Sequence, residues 1–270
     1  MKITYPNPYI IFLNMKKLKI GIIGSLELSD LNFINKPKTL IIETKYGKTS
    51  SQIVSGEFEN SEIFFIARYD FSNKLTICKV NFKANLLALK ELNCDYLFTF
   101  YSCSSLQEEI FPGEFIVFNQ FIDFSNNYDL LIDEKYTGEI YKLPMTKPFD
   151  ETLTRIITDV CIANGITIHT KGVAISTLMQ RSLTRLEANF YRQMGGDVVC
   201  NGLSQEIILA NELNIPIASF ALCTHYDSWR TDILPFTNLE KENIYVSEKY
   251  KLIKILNGIL LKLQNINKNI

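Results

Sequence analysis

The chain has 270 residues, 47% of them hydrophobic and 21% charged, which suffices for one large core or two small ones. Its 28 basic residues balance 29 acidic ones to a net charge of -1, which excludes the strongly basic surface of proteins that bind nucleic acids or anionic membranes. We therefore expect no nucleic-acid and no membrane partner, but a small ligand or another protein.

The first residues are predicted to form an arm rather than a targeting segment. Apolar residues 10–13 follow two prolines, and this stretch is too short and too interrupted for a signal peptide or a membrane span. We expect residues 1–17 to be an N-terminal arm and residues 18–270 to be one domain. The alternative is that the functional chain starts at Met15.

Strands and helices alternate along the rest of the chain. Short runs rich in β-branched or aromatic residues predict strands at residues 18–23, 63–67, 96–100, 115–118, 172–176, 197–200 and 217–223. Helical spacing of apolar residues predicts helices at residues 80–92, 151–164, 184–194, 205–213 and 238–264. This alternation predicts a mixed, largely parallel sheet flanked by helices in a single α/β domain. The polar segment 126–142 is predicted to be a surface loop or lid.

The six cysteines stand singly, without the close pairing of a zinc site. Most lie in apolar runs, so we expect buried, reduced thiols, a cytoplasmic protein and no metal. In a parallel sheet, ligands bind beyond the carboxyl ends of the strands. The candidate site is therefore formed by residues 24–28, 68–73, 101–105, 177–184, 201–204 and 224–229.

Segments in and around these loops resemble the trimeric purine nucleoside phosphorylases, and the methylthioadenosine phosphorylases in particular. They include residues 21–24 (GIIG), 79–85 (KVNFKAN), 107–113 (QEEIFPG), 120–123 (QFID), 170–172 (TKG) and 224–229 (THYDSW). The similarity runs in register over about residues 18 to 230. It implies a nucleoside-phosphorylase-like fold and cleavage of a purine nucleoside by phosphate, without a cofactor. It also implies a homotrimer with each site near a subunit interface.

The resemblance assigns the leaving purine to the end of the chain's last strand. A ribosyl bond breaks through a cationic sugar, so the purine must be neutralised at its imidazole nitrogen, and Asp227 stands where the family has its base-recognising aspartate. Without the motif, Asp227 would be interpreted as a loop or helix-capping residue. His225 replaces an aspartate that helps to select an amino group on the purine, and a histidine side chain can both donate and accept hydrogen bonds.

Other residues are implied to contact the nucleoside. Ser102, Cys103 and Ser104 stand at the family's Ala-Cys-Gly, which makes the pocket more polar, although the hydroxyls could instead satisfy neighbouring backbone groups. Ser182 falls in the segment that normally supplies an aromatic shelf for the base, and Asn201 replaces a methionine beneath the ribose.

On the phosphate side, the resemblance implies four anion-binding positions: Ser25, Arg68, Tyr101 and Gly202. Two of them, Tyr101 and Gly202, replace threonines, and Tyr101 is bulky enough to occupy the volume of the anion. In the first loop, Leu26 replaces a third threonine and Glu27 adds a carboxylate. At about 1.5–3 kcal/mol for each hydrogen bond to a charged group, the loss of three donors removes roughly 5 kcal/mol, or a thousands-fold affinity for phosphate.

Three hypotheses follow. The leading one is a purine-nucleoside glycosyl-transfer enzyme of this family, with Asp227 protonating the base. The second is a nucleosidase in which water replaces phosphate, with Glu27 as a candidate base. The third is a catalytically silent relative that binds a ligand or a partner subunit.

Overall fold

A computed structural model describes residues 17–26, 30–72, 75–126, 131 and 142–268. Glu27, the predicted arm up to residue 16 and most of the predicted loop at 126–142 lie outside these ranges.

The described residues form thirteen strands and five α-helices. The strands are β1 Leu18–Gly24, β2 Asn35–Leu40, β3 Glu43–Thr44, β4 Gly47–Lys48, β5 Ile53–Phe58, β6 Ser61–Ala67, β7 Tyr96–Ser105, β8 Phe115–Val117, β9 Gln120–Asp123, β10 Ile168–His169, β11 Val173–Thr177, β12 Val198–Asn201 and β13 Ile217–Tyr226. The helices are α1 Phe82–Glu91, α2 Glu151–Ala163, α3 Arg185–Gln193, α4 Leu203–Glu212 and α5 Asn238–Lys268.

The centre of the main sheet is parallel, with strand order β13-β7-β1-β6. These strands are covered on both faces, which is why they appear in the sequence as nearly continuous apolar runs. Helices α2 and α5 pack on one face and helices α1 and α4 on the other. The predicted α/β fold with a largely parallel sheet is therefore confirmed.

The sheet edges differ from the prediction. β7 and β13 run on to Ser105 and Tyr226, several residues beyond the predicted ends. β2 was not predicted, because its sequence NKPKTL is polar, almost wholly exposed and contains a proline, as is tolerated on an edge strand. The long β7 and β13 matter for function, since residues near their carboxyl ends, such as Ser104 and His225, line a cavity.

Candidate active site

A cavity of about 580 Å³ lies at the carboxyl ends of the central strands, and α5 forms one of its walls. Eight of the eleven predicted site residues line it: Ser25, Ser102, Cys103, Ser104, Ser182, Asn201, His225 and Asp227. The three that do not line it all belong to the predicted anion-binding set: Arg68, Tyr101 and Gly202.

The carboxylate of Asp227 is held in a fixed orientation just after β13. Its backbone N–H donates to the Ser105 carbonyl, 2.9 Å away, and so continues the pairing of β13 with β7. Ser104 Oγ donates to Asp227 Oδ2 at 2.6 Å, and the Ser228 N–H donates to Oδ1 at 2.7 Å. The side chain is buried but borders the cavity. Each carboxylate oxygen has lone-pair capacity left for a ligand.

His225 is a neutral imidazole whose tautomer is fixed by its neighbour. The hydroxyl of Thr224 lies 3.2 Å from the Cys103 carbonyl, to which it can only donate, and 3.0 Å from His225 Nδ1. Because that hydroxyl has one proton, Nδ1 must carry the hydrogen between them, which leaves Nε2 as an acceptor. Burial, and secondarily the charge of Lys241, lowers the pKa of His225 to about 3. Nε2 makes no hydrogen bond to any described residue.

The other residues predicted to contact the nucleoside differ in their exposure to the cavity and in the hydrogen bonds that they already make. Ser102 is exposed to the cavity. Cys103 is buried and its thiol donates to the Leu222 carbonyl at 3.6 Å, while burial raises the pKa of this thiol well above its usual value. Asn201 accepts from Thr177 Oγ1 at 2.6 Å and donates to the Met179 carbonyl at 3.0 Å, so it braces the loop after β11.

Arg68 lies in a closed, fully buried cluster with Glu206 and Tyr101. Its Nε and Nη2 donate to the two carboxylate oxygens of Glu206 at 2.7 and 2.9 Å, and its Nη1 donates to the Phe100 carbonyl at 2.8 Å. The Tyr101 hydroxyl donates to Glu206 Oε2 at 2.5 Å, and the Tyr101 ring covers the guanidinium with its centroid 3.9 Å from Cζ. Burial and the neighbouring Glu206 carboxylate raise the pKa of Tyr101. The cluster is a neutral internal unit.

Two further positions on the anion side lack a polar side chain that could bind an anion. Gly202 precedes α4 with a φ of 77°, and a Cβ there would lie 2.8 Å from the Phe82 ring, so a threonine does not fit. Leu26 is buried in the core. Ser25 does line the cavity, and its carbonyl accepts from the Tyr245 hydroxyl at 2.6 Å, which ties the first loop to α5.

The cavity wall formed by α5 was not predicted from the sequence. Lys241, Tyr245 and Lys249 line the cavity, and Lys249 forms an ion pair with the buried Asp30 at 2.9 Å. Their spacing of four residues places them on one helix face, and this polar stripe was the available signal. Glu206 was also missed, although a glutamate within the apolar run of α4 indicates a buried ion pair.

No group of three or more His, Cys, Asp or Glu residues within the described ranges is arranged to hold a metal ion. Of the helices in those ranges, none combines the length and the apolar character that a membrane span requires.

Comparison with known proteins gives consistent matches over most of the chain. Residues 19–254 match the model of the phosphorylase superfamily. The chain is 32% identical over 250 residues to S-methyl-5'-thioadenosine phosphorylase of Ciona intestinalis, covering 90% of this chain and 85% of that relative. It is 33% identical over 247 residues to the enzyme of that name from Thermofilum pendens, covering 91% and 92%. Among solved structures, methylthioadenosine phosphorylase from Schistosoma mansoni in complex with adenine superposes with a TM-score of 0.84 at 25% identity, covering 94% of this chain and 97% of that one.

Proposed function

Because the chain belongs to the phosphorylase superfamily, we propose that it is a glycosyl-transfer enzyme that cleaves the N-glycosidic bond of a purine nucleoside. The observation that carries this proposal is the fixed Asp227 carboxylate at the wall of a cavity of about 580 Å³. That volume is typical of small-molecule sites. The reaction needs acid–base and positioning chemistry, which side chains can supply without a cofactor.

In the proposed reaction, the bond between C1′ and the purine nitrogen breaks while positive charge develops on the sugar. Asp227 enters the step in its protonated form and delivers this proton, or a hydrogen bond that strengthens as the bond breaks, to the imidazole nitrogen of the purine. Ser104 acts on Asp227 rather than on the substrate, since its hydroxyl fixes the direction of the carboxylate. Nε2 of His225 accepts a hydrogen bond from an exocyclic amino group of the base, the role for which its tautomer suits it.

We also propose a homotrimer, as the family resemblance implies. One surface feature supports an interface: Leu186 and Phe190 on α3 and Met194 directly after it recur every four residues and are 81%, 49% and 45% exposed. Such an apolar stripe suits a subunit contact. The free cysteines support a reducing compartment, so we propose a cytoplasmic location; all but Cys78 are buried.

The test is release of free base from adenosine, methylthioadenosine, inosine and guanosine, with and without phosphate, followed by chromatography. We expect Asp227→Asn to reduce release by about 10²–10⁴-fold, the usual contribution of a general acid. Asp232→Asn is the matched control, because Asp232 is an exposed carboxylate outside the main cavity. Release that survives Asp227→Asn unchanged refutes the role of Asp227, and no release from any nucleoside supports a ligand-binding relative instead.

A further inference from the structure

The Arg68 cluster bears on which molecule receives the sugar. Transfer to phosphate, the reaction that the relatives' names describe, requires a site that holds a dianion with cations and hydrogen-bond donors. Arg68 follows β6 directly, but its guanidinium already donates four hydrogen bonds, two to Glu206 and one to each of two backbone carbonyls. An anion could recruit Arg68 only by breaking its pairing with Glu206, which would leave a carboxylate buried without its counter-charge.

Tyr101 makes this arrangement stable. Its ring covers one face of the guanidinium and its hydroxyl binds the same Glu206 oxygen that Arg68 Nη2 approaches. Tyr101 is 3% exposed and Arg68 is fully buried. A small residue at position 101 would remove the ring from the guanidinium face and one of the ligands that satisfy Glu206.

The cations that line the cavity do not replace Arg68. Arg181 pairs with Glu187 at 2.7 Å and Lys249 pairs with Asp30 at 2.9 Å. Lys241 forms no ion pair with a described residue, but it lies beside His225, at the end of the cavity assigned to the base.

Two neutral polar residues, Ser25 and Tyr69, line the opposite end of the cavity together with the Lys249–Asp30 ion pair. Ser25 and Tyr69 follow β1 and β6, which are two and three strands away from β13. At about 4.8 Å per strand, they lie roughly 10–15 Å from the end of β13 that precedes Asp227, which is the span of a nucleoside. Hydroxyl groups at this end suit a neutral acceptor better than a dianion.

Resting on the proposed function, we propose that Tyr101 determines the acceptor by closing the Arg68 cluster, so that water rather than phosphate receives the sugar. The C1′–N bond breaks with its electron pair going to the purine, and a water oxygen forms the new C1′–O bond. Asp227 gives its proton to the purine, and the proton lost by water restores Asp227 through solvent. The products are free base and free sugar.

The experiment measures base release by the full chain at 0 and 50 mM phosphate and identifies the sugar product by phosphorus NMR. We expect wild-type release to change less than twofold with phosphate and to yield no sugar 1-phosphate. Tyr101→Thr is expected to become phosphate-stimulated by tenfold or more, whereas Tyr101→Phe keeps the ring and stays phosphate-independent. Wild-type release that requires phosphate and yields sugar 1-phosphate overturns the proposal.

A second measurement covers the case in which no base is released, an outcome that removes the proposed function but not the closed cluster. Inorganic phosphate is titrated into each protein while its melting temperature is followed, since a ligand that binds only the folded state raises it. We expect phosphate to leave wild type and Tyr101→Phe unchanged and to raise the melting temperature of Tyr101→Thr. A rise for wild type, or none for a folded Tyr101→Thr, contradicts the assignment.

Discussion

Glu206→Gln is predicted to destabilise the protein far more than removal of any surface carboxylate. The substitution keeps the shape of the side chain but leaves the fully buried guanidinium of Arg68 without its counter-charge. Removing one partner of a buried ion pair usually reduces the free energy of unfolding by about 3–5 kcal/mol. In a chain of this size, about 2–4 °C of melting temperature corresponds to each kcal/mol, so we expect a drop of about 6–20 °C.

Thermal unfolding followed by circular dichroism at pH 7 measures this difference. Glu187→Gln is the matched control, because Glu187 pairs with Arg181 in a more exposed bridge, and exposed ion pairs contribute little to stability. A glutamine can still serve in the capping box of α3. A double variant, Arg68→Met with Glu206→Leu, is expected to recover part of the loss, since it leaves no unpaired charge. If Glu206→Gln melts within about 2 °C of wild type, the closed pair described here is wrong.

Three further predictions concern His225 and the exposed α3 stripe. The pKa of His225 is about 3 in the folded protein against about 6.5 in the unfolded chain. As the pH falls from 6.5 towards 3, the unfolded chain therefore gains a proton that the folded protein does not, which lowers the free energy of unfolding. Urea unfolding at pH 7 and pH 4.5 should show that this free energy falls less for His225→Gln than for wild type. Because Nε2 is an acceptor, nucleosides with a 6-amino group should be cleaved at least about tenfold faster, as kcat/KM, than inosine, whose carbonyl would face that lone pair; equal values would rule out the assigned tautomer. Phe190→Lys should convert the proposed trimer to smaller species in light scattering, and an unchanged mass would exclude this stripe as the interface.

The sequence predicted the fold well because its signals are local. The apolar runs of β1 and β13 and the helical spacing in α1 and α2 each identify one element, and their alternation is sufficient for the α/β class. The edge strand β2 was missed since it is solvated and has no hydrophobic face. No pattern exists there for a periodicity argument to detect.

The candidate site was predictable only in part. Asp227 and its neighbours were found because a contiguous motif carries them at a strand end. The partnership of Arg68 with Glu206 joins residues 138 positions apart, and the contribution of α5 depends on how a long helix packs over the sheet. Arg68 was predicted to face the anion because the resemblance assigns a role to its position, whereas no local pattern shows which residue it pairs with. Its anion-binding role stays a prediction that the buried geometry does not favour.

The central claim is that this chain breaks the bond between a purine and its sugar at Asp227. Single-turnover release of base from a saturating 6-aminopurine nucleoside measures that step directly, free of product release. We predict measurable release by wild type and a rate about 10²–10⁴-fold lower in Asp227→Asn. The folded Asp232→Asn control is predicted to release base at the wild-type rate. Equal rates for wild type and Asp227→Asn, or no release by a correctly folded wild type, would contradict the account.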